Sequence, residues 1–433
     1  HHLRTSLYSL VRYRVKYYDD DKDSLQTALI KEFNLAPDYF AGMENDSIKK
    51  ADSAERAEKD MYANEFHNRI TMPRFVMFDA CYNGSFHEDD YIAGEYIFNP
   101  GNTLAAQGNT RNVLQDRWTI EMIGLLSHGV RAGQYNRLVA TLEGHLIGDP
   151  TMHFAPIGET ATLSADMTVR RGDREYWMQQ LDSPWADVRS IAVRMLSDIE
   201  PEATWSPRLL EIYRTDAAGT TRMEALKMLS RYCNADFKEA VRLGLNDPYE
   251  RIARWSAALA AEIGDTDLLP DYISAFVNGN ERQRVHYTLG TNMVLFPKED
   301  VRKAIEDFYA NNTRYNAEKE KATVVEAMEY NFRGTDKELN EIKDKSLKER
   351  KRISHIRHVR NNPHTYNIDD YIAVVADDEN PEAVRVNMAE ALGWFNYSSR
   401  KGDIVAAFEK MLAENSLPDS VRAEMVQTVN RLK

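Results

Sequence analysis

Asp182-Ser-Pro-Trp-Ala-Asp-Val188-Arg189 is the stretch that decides how most of this chain is read. Its Asp and Pro end one helix and start the next, and Val followed directly by Arg opens a run of apolar residues at three- and four-residue spacing. The punctuation returns at Asp247-Pro248 with Ile252 and Arg254, at Asn380-Pro381 with Val384-Arg385, and at Pro418-Asp419 with Val421-Arg422. A unit that cannot bury its apolar face alone stacks on copies of itself, so residues 174–433 are expected to form an all-α repeat array. The apolar positions would pack between repeats, and the Arg would bridge to a neighbouring carboxylate. Between Asn311 and Asn361 the segment is charged and the rhythm breaks.

These units resemble HEAT repeats. Trp177, Trp185, Trp205, Trp255 and Trp394 fall at helical packing positions, where large aromatic side chains fill inter-repeat cores more often than they stack on a ligand. Cys233, at the end of a helix-like stretch with Met223, Leu226 and Leu229, reads as a packed small residue.

Outward from the array, Pro156 to Met167 reads as a linker, placed at residues 158–173, and residues 1–157 have a different texture. Leu7, Leu10, Val11 and Val15, then Leu25, Leu29 and Phe33, recur at helical spacing before Pro37. Glu44 to Asp60 reads as a solvated helix or loop. Arg74-Phe-Val-Met-Phe-Asp79 is then a short apolar run between Pro73 and the turn formers Asn83-Gly84, which suits a buried strand. Thr103-Leu-Ala-Ala106 is a second strand candidate. Leu114, Trp118, Met122 and Leu125 have the spacing of a helix, and another is expected from Arg131 to His145. A turn and short strand at Gly148–Phe154 close the region. Alternation of this kind argues for a mostly parallel α/β sheet.

Bulk properties narrow the function. A chain of 433 residues is long enough for two or three domains at roughly 150 residues each. Its 43% hydrophobic and 28% charged residues place it among globular proteins and exclude disordered or fibrous classes. A formal charge of −13 repels a phosphate backbone, so nucleic acid is not an expected partner. No apolar run reaches membrane-spanning length. Cys81 and Cys233 are the only cysteines, too few for a disulfide framework or a Cys-based zinc site. Glu88-Asp89-Asp90 lacks the alternating ligand spacing of a calcium loop, so neither a metal nor a cofactor is expected.

Cys81 follows the strand candidate and precedes Gly84, the place where open α/β sheets carry reactive groups. Glycine there would let backbone N–H groups approach a carbonyl oxygen, as stabilising a tetrahedral intermediate requires. A lone Cys at a strand end is, on its own, more often an inert packed residue.

Three motifs in order, Asp79-Ala-Cys81-Tyr-Asn-Gly84, Gly101-Asn-Thr-Leu-Ala-Ala-Gln-Gly108 and Gly148-Asp149-Pro150-Thr, resemble the second half of a gingipain-type cysteine peptidase. The resemblance spans Pro73 to Phe154 and implies a caspase-like α/β three-layer domain, incomplete at its N-terminus, over residues 1–157. It implies Cys81 as nucleophile, Gly84 at the oxyanion turn, and an acyl-enzyme hydrolysed with help from an imidazole. The Gln107-Gly-Asn109-Thr110 loop is the place implied for substrate contacts. Asp79 and Glu88-Asp89-Asp90 could attract a basic side chain, although an acidic loop is more often solvated surface. It also implies a bacterial, extracytoplasmic protein.

The family's His-Gly is the missing part. No His occurs between Leu3 and Phe66, and neither His1 nor His2 is followed by Gly. Either the chain, which begins without Met, starts downstream of a His-bearing strand, or the peptidase fold is degenerate. His128-Gly129 imitates the dipeptide but follows the nucleophile, at a helix end. His67 is too close to Cys81 for an adjacent parallel strand, and His87, His145 and His153 read as loop or packing residues. Three functions follow: an endopeptidase whose array recruits a protein substrate, a non-catalytic protein-binding scaffold, and an enzyme capped by its repeats until cleavage in the linker.

Overall fold

The computed structural model describes every residue except 1, 19–20, 60–62, 67–69, 114–119, 140, 159, 280 and 414–416. Helix accounts for 63% and strand for 4%, and the described residues are mostly all-α with one three-stranded sheet, which overturns the expected caspase-like three-layer α/β domain. Two compact units are formed, one from residues 1–113 with 132–152 and the other from 114–131 with 153–433. The described residues 120–131, expected from the sequence to belong with the strands, therefore fall in the unit that holds the repeats.

The first unit opens with α1 (His2–Tyr18), α2 (Lys22–Glu32), α3 (Asp46–Lys59) and α4 (Ala63–Phe66). The apolar spacing of α1 and α2 buries Leu7, Val11 and Leu29 with Tyr8, Phe40 and Met43. Asp21 caps α2 by accepting from Ser24 N at 2.8 Å. Then come β1 (Phe75–Met77), α5 (Ile92–Phe98) and β2 (Ala105–Asn109). β1 pairs with β2 in parallel, Val76 opposite Ala106.

The third strand was not legible as one. The helix expected over 131–145 stops early as α7 (Ala132–Val139), and His145-Leu-Ile147 becomes the middle of β3 (Gly144–Gly148), antiparallel to β2 with His145 opposite Gly108. At Gly148 the backbone has φ +100°, and a Cβ there would lie 2.3 Å from Leu104 O. Only glycine lets the two strands close that tightly. Of the helix expected over Val113–Leu126 from the Leu114, Trp118, Met122 and Leu125 spacing, residues 114–119 lie outside the described ones, 120–123 form a turn, and only the end falls in α6 (Gly124–Ser127).

The second unit continues with α8 (Leu163–Val169), inside the stretch read as a linker, and α9 (Arg174–Gln180). Helices α10 (Ala186–Ser197), α11 (Glu202–Thr215), α12 (Gly219–Leu229), α13 (Ala235–Gly244) and α14 (Glu250–Ile263) follow. Next are α15 (Leu269–Asn278), α16 (Gln283–Asn292), α17 (Lys298–Asn311) and α18 (Ala317–Asn331). A second block comprises α19 (Thr335–Lys343), α20 (Glu349–Val359), α21 (Ile368–Ala376), α22 (Glu382–Leu392), α23 (Lys401–Ala413) and α24 (Asp419–Leu432). Within each block, helices pack on their successors and on the helix after that, as in α10–α12, α11–α13 and α22–α24. This is the connectivity of stacked helical hairpins. The second block has its own core around Ile356, Tyr371, Met388, Phe395 and Phe408.

Arginines at the fourth position of their helices bridge repeats by two different routes, whereas the expected Arg254 stands 3.8 Å from Glu250 of its own helix. Arg189 makes a bidentate pair with Asp216 at 2.7 and 2.9 Å, and Arg222 repeats it with Asp247 at 2.9 and 2.7 Å. Each Asp also caps the following turn, accepting from Ala218 N and Tyr249 N. In the second block Arg352, Arg385 and Arg422 donate instead to the carbonyls of Ile342, Val375 and Leu412. Arg352 shows that the repeat persists inside the charged stretch. The tryptophans divide: Trp177 and Trp205 are buried, whereas Trp185 and Trp394 are exposed.

Candidate functional site

Cys81 lies past the carboxyl end of β1 on a turn held from below by asparagines. Asn83 Oδ1 accepts from Asn109 N at 2.9 Å, and Asn109 Nδ2 donates to Phe78 O and Ala80 O at 3.1 and 3.3 Å. A Cβ on Gly84 would sit 2.5 Å from the Gly108 carbonyl carbon, so glycine is required for the turn to rest on the end of β2. Tyr82, at φ +59°, turns the backbone through the left-handed region, a conformation that costs a non-glycine residue of order 1 kcal/mol or more. The result is an exposed thiol on a fixed turn, its Sγ accepting from Val113 N at 3.3 Å.

Other expected site residues serve elsewhere. The Gly84 N–H, expected to face an oxyanion, donates to Asn109 O at 3.0 Å. Asn109 is buried beneath the turn and positions it. Gln107 is 1% exposed, and neither of its amide atoms has a hydrogen-bond partner. Thr110 N donates to Glu143 O at 2.9 Å, and its hydroxyl lies 3.4 Å from His145 Nε2. Asp79 is exposed, as are Glu88, Asp89 and Asp90.

Among the described residues no imidazole is hydrogen-bonded to Cys81. His145 packs edge-on against Phe86, and His87 faces Glu88 at 3.5 Å. His153 is exposed and His67 lies outside the described residues. His128 is buried against Trp185 and bonded through Nδ1 to Thr160 Oγ1 at 2.9 Å; burial pulls its pKa down, against the raising effect of Asp187. Cys233 is half-buried, with Sγ directed at Ser230 O, and burial raises its thiol pKa.

A second constellation lies in the repeats. Between α15 and α17 is a cavity of about 550 Å³, lined by apolar Leu269, Pro270, Ala304 and Phe308 and by Asp271, Asp300, Lys303 and Asp307. Asp300, Lys303, Ala304 and Asp307 share one face of α17 because their spacing follows the helical turn. Three carboxylates face one ammonium there. Asp271 pairs with Arg242 at 3.2 Å, whereas Asp300 and Asp307 make no ion pair among the described residues. Apolar walls with converging uncompensated carboxylates suit a side chain with an aliphatic stem and a cationic head. The i, i+3, i+4, i+7 spacing of these four residues was visible in the sequence, but not their convergence with Asp271.

The sequence matches no protein-family model and no curated protein. No helix among the described residues is long and apolar enough to cross a membrane.

Proposed function

We propose that this chain is a protein-binding scaffold whose helical repeats take a Lys- or Arg-bearing segment of a partner in the groove between α15 and α17. The observation that carries the reading is the pair Asp300 and Asp307, unpaired among the described residues beside the apolar side chains of Ala304 and Phe308. Carboxylates set over apolar surface attract a cation while the stem of its side chain displaces water.

The test is fluorescence anisotropy with a short labelled Arg-Ala peptide and a Glu-Ala control. The doubly neutralised Asp300→Asn/Asp307→Asn variant should bind at least tenfold more weakly, about 1.4 kcal/mol. A charge-matched control, Glu88→Gln/Asp89→Asn, should bind like the parent. Equal weakening in both variants would show non-specific attraction to an acidic protein and end the reading.

A second reading is hydrolysis of peptide bonds through Cys81, favoured by one observation: an exposed thiol fixed at the carboxyl end of a strand. Its thiolate would attack the peptide carbonyl, the amine would leave with a proton, and water would release the acid. An extracytoplasmic location belongs to this reading. Labelling by peptidyl acyloxymethyl ketones that disappears in Cys81→Ala would support it, and labelling no faster than that of a free thiol would refute it.

A further inference from the structure

Charged residues in the second block converge where the repeat rhythm is weakest. Glu338 lies on α19, and His355 and His358 lie three residues apart on α20, hence on one face of that helix. One ligating atom from each of the three lies within 4.8 Å of the other two. They line an open groove of about 260 Å³ together with Gly334, Lys337 and Glu341. We infer that Glu338, His355 and His358 form a binding site for a divalent transition-metal ion of the zinc class, which clips α19 to α20.

The donor chemistry fits. Two imidazoles and a carboxylate suit zinc, and a three-residue set leaves a position for water. With metal–ligand bonds of about 2.0–2.2 Å, tetrahedral ligand atoms stand roughly 3.3 Å apart, so side-chain adjustments of about 1 Å gather the present set.

One ligand atom has no aligned hydrogen-bond donor. Glu338 Oε1 is shielded from solvent and makes no well-aligned hydrogen bond; its contact with His358 Nδ1, at 3.2 Å, is an ion-pair distance only. An ion between the two would satisfy both. Around the set, Glu341 Oε2 lies 2.8 Å from His355 Nε2 and is itself held by Lys351 at 3.0 Å. A carboxylate behind a ligating imidazole fixes the ring and selects the nitrogen left for the metal. Read without a metal, the residues form two Glu–His ion pairs, but that arrangement leaves the shielded Glu338 oxygen without an aligned donor.

The experiment is titration of the full chain with zinc chloride by isothermal calorimetry, in parallel with cobalt(II) chloride followed by visible absorption. His358→Ala serves as the variant because that side chain is 62% exposed and its loss leaves the core intact. Glu338→Gln is the second. The parent should take up one equivalent of zinc that either substitution weakens at least tenfold, show the absorption of low-coordinate cobalt(II), and melt at a higher temperature with zinc. Binding of equal strength in parent and both variants, or none of either metal at micromolar concentrations, would overturn the site. Melting of the variants without metal should match the parent, which separates lost ligation from lost fold.

Discussion

The two blocks of the array place arginine at matching points of their repeats and solve its burial differently. In the first block, Arg189 and Arg222 reach forward to the next repeat and meet a carboxylate. In the second, Arg352, Arg385 and Arg422 reach back ten residues to a backbone carbonyl. Where the first block has Asp247, the second has Asn380, which accepts from Arg352 at 2.8 Å and donates to Val374 O at 3.0 Å. One motif therefore makes ion pairs in the first block and hydrogen bonds to neutral acceptors in the second. The first kind should be sensitive to removal of charge, the second to loss of geometry.

Replacing Asp247 should produce the largest effect. Asp247 is 5% exposed at its side chain and accepts from Arg222, Tyr213 and Tyr249 N, so Asp247→Ala leaves a guanidinium unpaired. A loss of about 3–5 kcal/mol is expected in urea unfolding, and a value under about 1 would remove the distinction between blocks.

The seam between the blocks is next. His364 is buried and bonded through Nδ1 to Val294 O at 3.1 Å, and burial lowers its pKa to about 4. The unfolded chain takes up this proton near the ordinary value of 6.5, so stability falls as pH drops from 6.5 towards 4, by about 3 kcal/mol in full. His364→Gln should flatten that part of the stability–pH curve. Glu262 acts in the opposite sense: burial raises its carboxyl to about 7, and its backbone carbonyl accepts from Thr365 of the second block. Its burial is free of penalty below about pH 4.5 and opposes folding fully above 7. Glu262→Gln should therefore stabilise at pH 8, on the order of 2 kcal/mol, and have little effect at pH 4.5.

Arg385→Ala should cost less than Asp247→Ala. It leaves the Val375 carbonyl without that donor and removes no ion pair, so about 1–3 kcal/mol is expected. Its cost should be insensitive to salt. A salt-dependent loss equal to that at Asp247 would mean that the two blocks do not differ.

What the sequence disclosed follows the same physics. Local signals were readable: helix periodicity, the Asp-Pro and Pro-Asp punctuation, and the strand at Phe75–Met77 all depend on residues close in the chain. The α/β expectation failed because short apolar runs do not reveal how many strands surround them, and the helical reading of Arg131–His145 runs into the start of β3. Cys81 and Gly84 were found at one turn, but glycine's small size serves contact with Gly108, which no local pattern encodes. Glu338 with His355, and Asp271 with Asp300, are brought together by helix packing across intervening residues, and neither pair was legible in the sequence.

On the proposed reading, a partner segment is held by the repeats and not by the thiol turn. Amide hydrogen exchange along the chain, with and without saturating Arg-Ala peptide, tests it most directly. Slower exchange is expected over Leu269–Asn278 and Lys298–Asn311, with no change over residues 75–113. Protection at the Cys81 turn with none at the groove would contradict it.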